Sequence, residues 1–299
     1  MNLVPLQILR TELWVSFLYV IQSFLRIANF GKPIYLTIYL INMVLEAIIS
    51  PSKVEQNILW AIPLGFMLSV VGLAIGLFLF PKDASLVGIL FTTLAGVPFL
   101  RGILTIEEVK DEKIHAIIQF LRRNKRVIKI YFMFFLGVTL SYIVLYFILP
   151  TDIVAQMFSK QISIFPGATP TGMFLGNALF QRIVINNLKI ALIALILSFL
   201  YGAGAIMILT WNASALAIFL VSLRSFRAIA FTLPHALLEF SGFFIAAVAG
   251  GLISIAAERD KLYSKNFQDI LTDGLLFFLV AVLVIVIAAV VEVTIGVLA

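Results

Sequence analysis

The sequence predicts an all-α polytopic integral membrane bundle with about six to eight membrane segments, one of them short or re-entrant. Composition is the first reason. The chain of 299 residues is 62% hydrophobic and 12% charged, with a mean hydropathy of +1.13. Soluble domains run at about 45–50% apolar and about 25% charged. Segment length is the second reason. Residues 57–80, 129–149, 188–210, 229–256 and 270–298 are apolar runs that approach or exceed the roughly 20 residues a helix needs to cross a bilayer. Thirdly, no stretch has the repeats, low complexity or mixed polarity of a soluble domain.

Taken in order, residues 13–29 and 34–50 are apolar but interrupted by Gln22, Arg26, Asn42 and Glu46, so they read as two poor spans or as interfacial helices. No signal-peptide pattern precedes them. Residues 84–104 form a further span with Pro98 and Arg101 near one end. It is joined to 57–80 by Pro81, Lys82 and Asp83 alone, which requires an antiparallel hairpin. Residues 105–128 carry acids first and bases last. Ile106, Val109, Ile114, Ile117, Ile118 and Leu121 recur at helical spacing, so the segment reads as an amphipathic helix at the membrane surface. Eight Lys and Arg lie between Arg101 and Lys129, which predicts a cytoplasmic loop. Residues 150–187 then fall outside, with 151–165 interfacial. Residues 212–223 make only about 18 Å of helix, short of a hydrocarbon core of about 30 Å. They read as a re-entrant half-helix or a short span, and the choice sets the side of everything downstream. The loop 257–269, with Arg259, Lys261 and Lys265, leans to the cytoplasm.

The same composition excludes several kinds of chemistry. There is no cysteine, hence no disulfide, thiolate metal site or cysteine nucleophile, and the only histidines are His115 and His235. The net charge of +6 comes from bases beside membrane segments, which suits topology and anionic lipid headgroups, not nucleic acid. HExxH, Walker and dinucleotide motifs are missing. The FxxxH of Phe231–His235 lacks the companion motifs of an intramembrane protease. The expectation is a protein that is not an enzyme, with no cofactor, no metal site and no catalytic residues.

The candidate polar sites lie in the second half. Pro234, His235 and Glu239 sit inside the apolar run 229–256, and His235 and Glu239 are one helical turn apart on one face. An ionisable group at bilayer depth costs about 2.5–3.5 kcal/mol on insertion scales, so both should point at other helices. A polar clamp that fixes helix packing is the preferred reading, and a proton or ion relay is the alternative. Gly202 and Gly204 suit close helix packing over a ligand-facing unwound turn. Gly72, Gly76, Gly250 and Gly251 invite the same packing reading. Asn187 and Asn212 read as caps or interhelical hydrogen-bonding groups ahead of ligand contacts. Glu292, deep in the last run, either pairs with another helix or lies near the surface.

The succession FPKDASLVGILFTTLAGVPF, the Glu107–Glu108 loop, NNLKIALIALILSFLYGAGAIMILTWNASALA and LPHALLEFSGFFIAAVAGG resembles the stage II sporulation protein M family, in its archaeal form. The resemblance covers roughly residues 43–298 and is most specific in the second half. Two positions depart from the family's pattern: Ala236 and Ala213 stand where glycine is usual. Met43 opens a segment similar to the start of archaeal relatives. Residues 1–42 are therefore read as an N-terminal extension or a misassigned start, and 43–299 as a single membrane domain. The family's namesake is a membrane scaffold that recruits cell-wall hydrolases during engulfment in spore-forming bacteria. The resemblance thus implies a multi-pass, non-enzymatic scaffold of the cell membrane. Its expected partners are the lipid bilayer and other membrane or membrane-associated proteins, with homo-oligomerisation left open. The alternative is a permease subunit or channel with an intramembrane His/Glu site.

Overall fold

The computed structural model describes residues 50–109, 117–164, 177–201, 205–223, 226–259 and 264–298. The described chain begins with a short helix whose ends follow local chemistry. Ser50 caps α1 (Pro51–Gln56) by accepting a hydrogen bond from the Lys53 amide at 3.4 Å, with Pro51 at the first helical position. Asn57 then caps a 3-10 turn, Ile58–Trp60, by accepting from the Leu59 amide at 3.1 Å. From there the chain forms α2 (Ala61–Leu79), α3 (Ala84–Val109), α4 (Ile117–Ile148), α5 (Thr151–Met157), α6 (Ser159–Ile164), α7 (Asn177–Tyr201), α8 (Ile206–Ser222), α9 (Phe226–Arg259) and α10 (Lys265–Leu298). No strand occurs among the described residues.

Six of these segments are long and apolar enough to cross a membrane: Ile58–Leu79, Pro81–Leu104, Asn124–Ile148, Phe180–Leu200, Ile229–Glu258 and Lys265–Thr294. The shorter apolar helix Ile206–Ser222 joins them. The protein is a multi-pass helical membrane bundle. α9 is its axis: 89% of its apolar window is buried inside the protein, against 33% for α10 and 28% for α7. The outer helices show leucine, isoleucine and valine to the surroundings, including Leu275, Leu279, Leu283, Ile287 and Val290 on α10. In a bilayer that stripe meets acyl chains at no cost.

Residue pairings give the direction of each helix. α2 and α3 form the antiparallel hairpin that the three-residue link demands: a Cβ on Gly72 would meet the Gly88 carbonyl at 2.8 Å, and one on Gly76 the Ala84 carbonyl at 2.9 Å. α2 and α4 run parallel, with Ile62 beside Gly137 and the Ser69 and Ser141 hydroxyls bonded to each other. At Gly137 a side chain would run into the backbone of Ile62, its carbonyl carbon only 2.9 Å from where the Cβ would stand. Glycine permits that backbone approach, as is usual where membrane helices pack closest. α4 and α9 are antiparallel, with Phe135 stacked near Phe240 (4.5 Å between centroids) and Phe132 near Phe244 (6.0 Å). α9 and α10 are antiparallel, Gly242 facing Ala281 and Ile285, and Gly274 facing Ile253. α7 and α9 run parallel, since Asn187 meets Glu239 while Leu195 and Ser198 meet Gly250. At the foot of the bundle the Arg101 guanidinium pairs with the Glu258 carboxylate, linking α3 to α9.

Two segments differ from the sequence expectation. The span expected over 188–210 is not continuous. α7 starts eleven residues earlier and ends at Tyr201, while α8 starts at Ile206 and absorbs residues 206–211. The short element is therefore 17 residues long, not twelve, or about 25 Å of helix. Hydropathy is high on both sides of the break, so it carried no signal of a helix end. Likewise, residues 105–109 continue α3 and residues 117–128 continue α4, in place of a separate surface helix. Nothing in 117–128 interrupts a helix, because the stretch holds neither glycine nor proline. Residues 110–116 of that expected helix, and the whole expected extension 1–42, lie outside the described residues.

Candidate functional site

α9 passes unbroken through Pro234, which lies exposed in its first third and removes one backbone donor from the ladder. Because the helix is continuous, His235 and Glu239 do share a face one turn apart. Both are half-buried, and Nδ1 of His235 is shielded from the surface. Glu239 looks toward α7, where the Asn187 side chain donates Nδ2–H to its Oε1. Asn187 in turn accepts from Asn186 Nδ2 at 3.3 Å. Asn186 and Asn187 are buried, so the seam between the two parallel helices holds a short polar chain: Asn186 to Asn187 to Glu239. Asn187 thus lies well inside α7, and its amide serves as an interhelical hydrogen bond.

The other polar residues singled out from the sequence fall elsewhere. Asn212 does not start its helix. It sits in the second turn of α8, where its Nδ2 donates to the Ile208 carbonyl of the same helix at 2.7 Å. Glu292 is half-buried near the end of α10. Gly202 and Gly204 lie outside the described residues. Among the described residues, no three His, Asp or Glu side chains stand together as metal ligands.

A second polar cluster was not foreseen. Gln161, on the short helix α6, is fully buried. Ser85 at the start of α3 donates its hydroxyl to Gln161 Oε1, and Gln161 Nε2 donates to the Ser214 hydroxyl of α8 at 3.0 Å. Ser214 completes the chain by donating to the Trp211 carbonyl at 2.7 Å. One amide therefore ties α6 to α3 and α8. The sequence signal was weak: one of two glutamines in a run of fourteen residues too short to span. Asn186 was legible only as the neighbour of Asn187.

The chemistry of both clusters is hydrogen bonding between neutral amides and hydroxyls, with one carboxylate. Each carries interhelical contacts in an environment where an unmet polar group is costly. A family model described as Stage II sporulation protein M matches residues 130–296, a stretch that includes α7, α8, α9 and the Asn187–Glu239 seam. No curated protein matches the chain, and neither does any solved structure.

Proposed function

We propose, from the premise that the chain belongs to the stage II sporulation protein M family, that it acts as a non-enzymatic scaffold of the cell membrane on which other membrane or membrane-associated proteins assemble. The observation that carries this reading is the Asn187–Glu239 hydrogen bond. It spends the intramembrane carboxylate on a neighbouring helix of the same chain, as a clamp does. The tight backbone contacts at Gly137 and Gly250 support the same reading, since they favour a rigid platform over a moving one. Under this proposal the named partners of the sporulation scaffold do not carry over; assembly on a fixed membrane bundle does.

A permease or channel that uses His235 and Glu239 is the competing reading, favoured by the position of an Asn–Asn–Glu chain inside a helix pair. Reconstitution separates the two. Proteoliposomes with wild-type protein and with Glu239→Gln are given proton, sodium and potassium gradients. The scaffold reading expects no protein-dependent flux in either sample, together with a change in thermal stability alone. Flux in the wild type that disappears in a correctly folded Glu239→Gln protein overturns it.

A further inference from the structure

The level of the bundle under Gln161 holds more buried hydrogen-bonding groups than its own contacts satisfy. A Cβ on Gly96 would touch both Phe134 (3.2 Å) and Ile206 (3.5 Å), so α4 and α8 stand side by side at that depth. Both then run toward the end of the bundle where Ser85 and Gln161 meet. Eight residues along each, about 12 Å higher, come Tyr142 and Ser214. Independently, the Tyr142 ring packs at 5.5 Å from Phe158, one turn before Gln161. Thr210 and Trp211 precede Ser214 by four and three residues, so they share its face of α8.

Three polar atoms at this level have no hydrogen-bond partner and no surface exposure: the Tyr142 hydroxyl, the Thr210 hydroxyl and the Trp211 indole N–H. Thr210 stands apart from the other buried threonines. Thr92, Thr93 and Thr139 each bond the carbonyl four residues back in their own helix, at 2.8, 2.8 and 2.9 Å, and Thr210 does not. In hydrocarbon surroundings such groups are met by protein or by water.

We propose that this level, between α3, α4 and α8, is a binding chamber for water, and that α6 is its removable stopper, latched by Gln161. A guest there must accept from an indole N–H or exchange hydrogen bonds with a hydroxyl, and the three groups that call for one are uncharged. Water meets that description, and an ion would find no countercharge. The latch is the pair of hydrogen bonds from Gln161 to Ser85 and Ser214. Releasing α6 opens the chamber at the end of the bundle opposite Arg101 and Glu258. This inference does not depend on the scaffold reading.

The chain has no cysteine and three tryptophans, so single reporters are easily placed. Thr210→Cys is made alone, with Gln161→Ala and with Ser85→Ala, and is labelled in nanodiscs by a membrane-impermeant methanethiosulfonate. Loss of a latch bond should speed labelling about tenfold in Gln161→Ala and severalfold in Ser85→Ala, which keeps Gln161 in place. In a Trp14→Phe/Trp60→Phe background, Trp211 should gain fluorescence on transfer from H2O to D2O, and acrylamide quenching should rise with Gln161→Ala. Equal labelling rates in all three proteins, or a Trp211 signal blind to D2O and acrylamide in both latch states, would overturn the proposal.

Discussion

Removing the amide donor from Asn187 should destabilise the bundle by more than the hydrogen bond itself is worth, and a second substitution should give part of the loss back. The segment Ile229–Glu258 holds 30 residues, about 45 Å of helix, while the hydrocarbon core is about 30 Å thick. If the span is centred, about 7 Å projects at each end. Glu239 lies ten residues, about 15 Å, from Ile229, and so about 7–8 Å below the hydrocarbon boundary. That is roughly half the distance to the midplane, where a lone carboxylate costs about 2.5–3.5 kcal/mol. Up to roughly half of that penalty, about 1–2 kcal/mol, therefore returns when Asn187→Ala takes the Asn187 donor away from the carboxylate. The lost interhelical hydrogen bond adds about 0.6–1.7 kcal/mol. The expected cost of Asn187→Ala is about 2–3 kcal/mol, and that of Glu239→Gln, which keeps an acceptor and removes the charge, under about 1 kcal/mol. In the double variant the charge penalty is gone, so Asn187→Ala/Glu239→Gln should be more stable than Asn187→Ala by about 1 kcal/mol. Equilibrium unfolding in mixed micelles by SDS titration measures all four proteins. A double variant less stable than Asn187→Ala, or an Asn187→Ala protein as stable as the wild type, would refute the clamp.

Three further outcomes are expected. Gly137→Ala should cost about 1–3 kcal/mol, because its methyl group would push on the Ile62 backbone, whereas Gly102→Ala, whose methyl would meet only the Pro51 ring at 3.3 Å, should be near neutral by the same titration. Ser69→Ala and Ser141→Ala should each cost under about 1 kcal/mol and combine sub-additively in a double-mutant cycle, since each surviving hydroxyl keeps a bond to its own helix, to the Gly65 carbonyl at 2.7 Å or the Val138 carbonyl at 2.8 Å. Arg101→Ala should cost little in the same titration, about 0–1 kcal/mol, and less still at high salt, because the Arg101 and Glu258 side chains are 39% and 57% exposed.

The bilayer is why so much of this fold could be read in advance. A fixed apolar thickness turns hydropathy into segment length, so five of the six long segments and the tight α2–α3 hairpin follow from the sequence almost directly. The same physics marked His235 and Glu239, since ionisable groups at depth must find company. The partner of Glu239 could not be read. Asn187 meets Glu239 only because α7 and α9 run parallel, and that depends on α8 carrying the chain back between them. The register is then set by Gly250 lying against Leu195, fifty-five residues away in sequence. Gln161 was hidden for a different reason. A polar side chain in a short segment reads as interfacial, and only tertiary contacts with Ser85 and Ser214 draw it inside. The break between Tyr201 and Ile206 was invisible to hydropathy because both flanks are equally apolar.

The direction of α8 settles whether the short helix re-enters or crosses, which the sequence left open. Had the short helix entered and left by the same face, α9 would run antiparallel to α7. The contacts Asn187–Glu239 and Leu195–Gly250 require the opposite. α8 therefore counts as a crossing in the topology although it is only 17 residues long. The Arg101–Glu258 ion pair then puts the end of α9 at the same face as the end of α3. Among the described residues, the basic start of α4 and Lys265 at the start of α10 therefore lie at that same face, since both helices run antiparallel to α9. A basic face of this kind is what the positive-inside rule expects on the cytoplasmic side. α10 therefore runs away from the face that holds Arg101 and Glu258, and the Gln161 and Asn187–Glu239 hydrogen bonds both lie nearer the opposite one.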